Sequence, residues 1–143
     1  MIHYIEDDLF NASDKLLLVH ACNCQGVWGS GVAALFKRKF PKEFLIYMNY
    51  CIDNNVKDII GTALITNRVG CLFTSKDYGQ NIDSLKEILM NTEKSLDELL
   101  KNNTMDIAMP KINSGLFKVP WEETEKVINK FNRNFYVFTG EKK

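Results

Sequence analysis

Two stretches of the chain carry residue types that bind phosphate. The first reads His20-Ala21-Cys22-Asn23-Cys24-Gln25-Gly26-Val27-Trp28-Gly29-Ser30-Gly31-Val32-Ala33, with its glycines spaced G-x-x-G-x-G. This is neither the dinucleotide fingerprint G-x-G-x-x-G nor a P-loop, because no Gly-Lys-Ser/Thr follows. The physics is shared all the same. Glycines let the backbone turn tightly and approach a ligand, and a helix that starts near Gly31 points free N–H groups outward at an anion. The second stretch reads Met109-Pro110-Lys111-Ile112-Asn113-Ser114-Gly115-Leu116-Phe117-Lys118-Val119-Pro120-Trp121. Asn113-Ser114-Gly115 ahead of a helix offers the same kind of donor. Two such loops side by side would hold two phosphates, and Lys111 and Lys118 would add charge.

Among these residues His20 is the one equipped for chemistry. An imidazole titrating near neutrality can protonate a leaving oxygen, activate water or attack phosphorus directly. The residues alone leave these roles open. The other histidine, His3, falls in the first strand and away from the ligand edge. Cys22 and Cys24 stand as C-x-C near His20, but a zinc site normally shows C-x₂₋₄-C and a second ligand pair. No metal is therefore expected, and Cys22, Cys24, Cys51 and Cys71 are read as free, buried thiols.

The elements that must position these loops follow from hydrophobic period and punctuation. Short strands are expected at 3–5 and 16–19, then a loop over 20–30. Helices follow at 32–40, with Val32, Leu35 and Phe36 on one face, and at 42–51, with Phe44, Leu45, Met48 and Cys51. Residues 62–66 and 71–74 read as a hairpin across the turn residues Asn67-Arg68-Val69-Gly70. The longest helix, 83–101, repeats Leu85, Ile88, Leu89, Thr92, Leu96, Leu99 and Leu100 with a 3.6 period. A strand at 106–110, a loop at 111–119, a helix at 121–131 and a strand at 134–139 close the chain. Pro120 at the mouth of the last helix, with Glu122 and Glu123 in its first turn, suits the positive end of the helix dipole. The order β-β-α-α-β-β-α-β-α-β predicts an α/β fold, a central mixed sheet sandwiched between helices. Ligands in such folds bind beyond the carboxyl ends of the strands, where both loops fall.

Composition bounds the reading further. The chain has 143 residues, 45% hydrophobic and 25% charged, with 18 Lys+Arg against 18 Asp+Glu. One domain over 1–143 is expected. The balanced charge disfavours nucleic acid as a partner, which usually requires a basic excess or stripe. Lys37-Arg38-Lys39 is read as a solvated helix face. The acidic start, Met1 to Phe10, lacks the basic and apolar pattern of a signal peptide, and no apolar run reaches membrane-helix length. A cytoplasmic monomer is expected, with nuclear placement as the alternative.

Several of these stretches together resemble the macrodomain family, whose members bind ADP-ribose. They are Asp7-Asp8-Leu9 after the first strand, Asn23 through Gly29-Ser30-Gly31-Val32-Ala33, and Ser114-Gly115-Leu116-Phe117 before the last helix. The resemblance spans Met1 to Thr139. Within the family the chain is similar to the yeast-type ADP-ribose 1″-phosphate phosphatases, through residues 20–29, Leu72-Phe73-Thr74-Ser75 and residues 109–121. It is similar, more distantly, to the terminal ADP-ribose protein glycohydrolases through Asp8-Leu9-Phe10 and Met109-Pro110.

The resemblance implies a macrodomain fold and small-molecule ADP-ribose derivatives as partners, with no cofactor. It implies His20 and Asn23 as catalytic candidates, Asn23 bonding the distal ribose. Asp8 would accept a hydrogen bond from the adenine amino group, with Leu9 beside it, and Phe138 would pack on the adenine. The backbones of Gly29, Ser30, Gly31 and Val32 and of Ser114, Gly115, Leu116 and Phe117 would cradle the diphosphate. Cys22, Thr74 and Asn113 complete the implied binding set. The implied activity is removal of the terminal phosphate from ADP-ribose 1″-phosphate, a by-product of tRNA splicing. The alternatives are ADP-ribose binding without catalysis, and hydrolysis of O-acetyl-ADP-ribose or ADP-ribosyl esters. The glycohydrolases use a lysine directly after a Leu-x-Thr strand and an acid in the second loop. Here Ser75-Lys76 follows Thr74 and Phe117 takes the acid position, so their covalent route is not expected. Asp77 is left as a candidate partner for His20 or for a water.

Overall fold

The computed structural model describes residues 1–140. Its elements in chain order are β1 (Ile2–Ile5), β2 (Leu16–Asn23), α1 (Gly31–Lys39), α2 (Pro41–Asp53), α3 (Val56–Ile59), β3 (Ala63–Thr66), β4 (Val69–Ser75), α4 (Leu85–Lys101), β5 (Asp106–Met109), α5 (Trp121–Ile128) and β6 (Phe135–Phe138). The six strands form one sheet in the order β1-β6-β5-β2-β4-β3. Only β3 runs antiparallel, in the hairpin with β4. Among the described residues, no helix is long and apolar enough to cross a membrane. The residues 141–143 of the expected domain lie outside the described part.

Most elements fall where period and turn residues place them, with differences at the hairpin, where β4 begins at Val69 inside the expected turn, at the end of α5, which stops at Ile128, and in β2, α1, α2 and α3. β2 continues four residues beyond the apolar run, to Asn23, so His20, Cys22 and Asn23 stand on a strand and not in a loop. The reason lies in its neighbour: β4 is paired with β2 up to Ser75, and the ladder carries the chain onward. In α2 the buried side chains are Tyr47 and Cys51, whereas Leu45 is exposed, because the Tyr47 hydroxyl has a buried partner on β2. Leu35 in α1 is likewise exposed, leaving Phe36 as the buried residue there. The short helix α3 appears in the segment before the hairpin, where no element was expected.

The core forms two layers, one on each face of the sheet. Leu18 and Cys22 of β2 join Trp28, Phe36, Tyr47 and Ile59 on the side of α1, α2 and α3. Leu17 and Val19 join Leu96 and Leu99 of α4 and Ile128 of α5 on the other side. The strand period of two thus sorts a continuous apolar run onto both faces, as expected for a central parallel strand covered on both sides.

Gly70 of β4 lets α4 approach the sheet. A Cβ at this position would lie 3.0 Å from Leu99 Cδ1 and Val19 Cγ2, and 3.1 Å from Leu17 Cδ2. Gly70→Ala should therefore lower stability by about 1–3 kcal/mol through overpacking. The check is the denaturant midpoint, which should fall at an unchanged m-value; an unaltered midpoint would show that the contact is soft.

Candidate active site

The carboxyl ends of β5, β2 and β4 are adjacent, and the loops leaving all three line one cleft of about 890 Å³. Residues 27–33 form one wall, residues 110–118 the facing wall and residues 78–80 a third. His20, Ala21, Cys22 and Asn23 contribute its floor. The two phosphate-loop candidates face one another closely: a Cβ on Gly31 would meet Leu116 Cδ1 at 3.6 Å. Gly31 has φ +61°, a left-handed conformation that glycine adopts without strain. This turn starts α1 with its first N–H groups free of intrahelical partners. Ser30, the cap residue, makes no side-chain cap bond.

Each of the two facing walls is fastened by one buried asparagine. Asn23 Nδ2 donates to the Val27 carbonyl at 2.8 Å, and its Oδ1 accepts from Gln25 N at 2.9 Å. The Tyr47 hydroxyl lies 2.8 Å from the Asn23 carbonyl and 2.9 Å from Oδ1. The Asn23 amide is thus engaged at both ends in shaping its own loop. Asn113, at φ +66°, does the same for the second wall. Its Oδ1 accepts from Thr74 Oγ1 at 2.9 Å, and its Nδ2 donates to Thr92 Oγ1 at 2.9 Å and Thr124 Oγ1 at 3.4 Å. One side chain ties β4, α4 and α5 to the loop. Thr74 can reach it because the β2–β4 register slips here: Cys22 pairs Phe73, but Asn23 pairs Ser75.

His20 occupies an aromatic nest. Its ring stacks on Phe36 with centroids 4.0 Å apart at 5°, and meets Trp28 edge-on at 4.7 Å. Only 1% of its surface is exposed. Burial pushes the imidazole down to about 3, so the ring is neutral near pH 7. A neutral imidazole has a lone pair for a proton or for phosphorus, but is no acid toward a leaving oxygen. Cys22 Sγ lies 3.5 Å from Nε2, and burial pushes its thiol well up.

Of the other expected site residues, Gly29, Ser30, Val32, Ser114, Gly115, Leu116 and Phe117 line the cleft, as do Lys111 and Lys118. Asp8, Leu9, Thr74 and Phe138 do not line it. Asp8 Oδ1 caps the turn Leu9–Asn11 by accepting from Phe10 N at 2.9 Å. Leu9 and Phe138 belong to the core layer that also holds Phe36. Lys76 pairs with Glu87 at 3.4 Å, and neither it nor Asp77 lines the cleft. The third wall, Tyr78-Gly79-Gln80, was not foreseen. Its available signal was Gly79, φ +67°, between polar residues just past a strand at the same sheet edge.

Residues 19–128 match the Macro domain profile. The chain belongs to the macrodomain family. Among its curated relatives, the ADP-ribose 1″-phosphate phosphatase of Lodderomyces elongisporus is 40% identical, covering 95% of this chain and 98% of that one. That of Meyerozyma guilliermondii is 39% identical, covering 90% and 93%. The macrodomain of Thermus aquaticus DarG shares the fold at a TM-score of 0.74 and 21% identity, covering 96% of this chain and 97% of the other.

Two outcomes follow for this macrodomain. Tyr47→Phe should cost about 0.5–1.5 kcal/mol through the lost hydroxyl contact to Asn23. Amide hydrogen exchange at Gln25 and Val27 should accelerate with it; unchanged exchange would detach Tyr47 from the loop. The second outcome concerns pH. Unfolded, His20 titrates near the ordinary 6.5; folded, it titrates near 3. Below pH 6.5 the unfolded chain binds a proton that the native state excludes. The stability held above that pH is therefore lost as pH falls from 6.5 toward 3, by up to about 1.4 kcal/mol per unit. In metal-free buffer, His20→Asn should remove this component from the acid limb of the stability profile; an unaltered limb would assign it to other groups.

Proposed function

We propose that this macrodomain is an ADP-ribose 1″-phosphate phosphatase. The observation that carries this reading is the likeness to relatives of that name, at 39–40% identity over nearly the whole length of both chains. The cleft agrees with such a substrate. Its two glycine-bearing walls offer uncharged N–H donors to a diphosphate, with Lys111 and Lys118 adding positive charge. Asn113, whose Nδ2 uses both protons within the protein, serves by fixing its wall, whereas Asn23 fixes its wall with one Nδ2 proton and has the other for the distal ribose.

In the reaction, the bond between phosphorus and the ribose 1″-oxygen breaks, water supplies the new oxygen on phosphorus, and the leaving oxygen takes up a proton. ADP-ribose and phosphate are the products. His20, being neutral, acts as the base that activates water or as the nucleophile on phosphorus. Where His20 takes the proton of the attacking water, the imidazolium so formed can pass it to the leaving oxygen; where His20 attacks phosphorus, that proton comes from solvent. The substrate's source in tRNA splicing and a cytoplasmic location belong to this same reading. The four free, buried cysteines fit a reducing compartment.

One observation favours a second reading, binding of ADP-ribose without chemistry: His20 is nearly covered by Phe36 and Trp28. The two readings separate on His20→Ala. Phosphate release from ADP-ribose 1″-phosphate should fall at least about 100-fold, the scale of a lost acid–base group, while calorimetric affinity for ADP-ribose stays within several-fold. Equal turnover in the variant would remove His20 from the chemistry. Absence of phosphate release from the wild-type protein at high enzyme concentration would leave the binding module. Parallel assays with O-acetyl-ADP-ribose and an ADP-ribosyl ester decide substrate preference.

A further inference from the structure

The spacing of the chain joins Cys22 to Cys24, but the fold joins Cys22 to Cys71. In the β2–β4 ladder His20 stands opposite Cys71, and the strand period of two puts Cys22 on the same face as His20. One ligand atom from each of His20, Cys22 and Cys71 lies within 4.8 Å of the others, and all three residues are buried. The Cys22 Sγ to His20 Nε2 distance is 3.5 Å. Zinc bonds of about 2.3 Å to sulfur and about 2.0 Å to nitrogen, at tetrahedral angles, separate sulfur from nitrogen by about 3.5 Å. They separate two sulfurs by about 3.8 Å, so the third donor has to close in by at most about 1.0 Å on the other sulfur and about 1.3 Å on the nitrogen from its present limit.

A second, independent observation points to the same place. Trp28, 1% exposed, carries a buried indole N–H with no hydrogen-bond partner. Its ring meets the His20 ring with centroids 4.7 Å apart, so this unpaired N–H lies beside the cluster. Such a donor to a coordinated sulfur is the outer contact that metal thiolates commonly have.

We infer that His20, Cys22 and Cys71 form a site for one thiophilic divalent cation of the zinc type at the floor of the cleft. Two thiols lose their protons to solvent, two metal–sulfur bonds and one metal–nitrogen bond form, and no electron moves. Two thiolates cancel the charge of the ion, so the neutral assembly suits an apolar surround where a bare charge would not. His20 and Cys22 both line the cleft, which leaves the fourth position on that side. The donors, distances and unpaired N–H of the site owe nothing to the substrate, but a bound ion would take the His20 lone pair that the proposed reaction uses.

The test uses the full chain with Zn²⁺ alone as probe. After loading and desalting, atomic spectroscopy should find about one zinc per chain, the count a single Cys₂His site takes. Cys71→Ala should lose at least nine-tenths of it. Cys24→Ala, which removes a buried thiol outside the cluster, should retain it. Zinc should raise the melting temperature of the wild type and of Cys24→Ala but not of Cys71→Ala. A cooperative melt of metal-free Cys71→Ala identifies the loss as a lost ligand and not a lost fold. Co²⁺ loading of the wild type supplies a readout that needs no variant, a thiolate-to-metal absorption band. No retained zinc, no such band, or equal zinc in Cys71→Ala would each overturn the site.

Discussion

The cleft depends on backbone that has been shaped by buried side-chain amides. Asn23 and Asn113 sit at the roots of the two facing loops, and each uses both ends of its amide within the protein. A loop left to itself would satisfy its polar groups with water and sample many conformations. An amide fixed from two sides removes that freedom and aims the remaining N–H groups outward. The donors at Gly31 and around Ser114 are therefore preorganised by residues that need not touch a ligand. This arrangement is also compatible with the balanced charge of the chain. Uncharged donors at loop and helix starts can receive a diphosphate with only two lysines nearby, so affinity should fall with salt far less steeply than phosphate-backbone binding does.

The central position of β2 has a second consequence. It lies between β5 and β4, so residues at its carboxyl end meet loops from both sides, and residues along its length are covered by helices on both faces. His20 is consequently on the path to the cleft and yet enclosed. Desolvation among Phe36, Trp28 and Cys22 removes its charge at neutral pH and leaves the lone pair. That lone pair can serve water or phosphorus, and it is also what a thiophilic cation would take beside Cys22 and Cys71. The chemistry available at the floor of the cleft is set by one buried, neutral ring.

Much of the architecture was legible from local pattern. The Leu-Leu-Leu-Val run of β2, the 3.6 period of α4, and the Pro-Trp-Glu-Glu opening of α5 each encode a local preference that tertiary packing reinforced. The differences arose where the partner decides. β2 ran on to Asn23 because β4 lay alongside, and α2 turned Tyr47 inward because Asn23 offered its hydroxyl a partner. Leu45 and Leu35 are apolar in sequence and exposed in the fold, because a helix buries only the stripe that its neighbours cover.

The sequence by itself determined two glycine-bearing loops after strands and before helices, their place at one edge of an α/β sheet, and a histidine at the mouth of the first. Those properties are local: they follow from residue type, period and capping. Only the tertiary structure decided what each residue does there. It brought Cys71 to Cys22 and His20 across 49 and 51 positions of chain, closed the third wall with Tyr78-Gly79-Gln80, and left Asp8, Leu9, Thr74 and Phe138 outside the cleft lining. It committed both asparagines to the loops and stripped His20 of its charge. Proximity across strands and removal of water exist only once the chain has folded, and no spacing along the sequence records them.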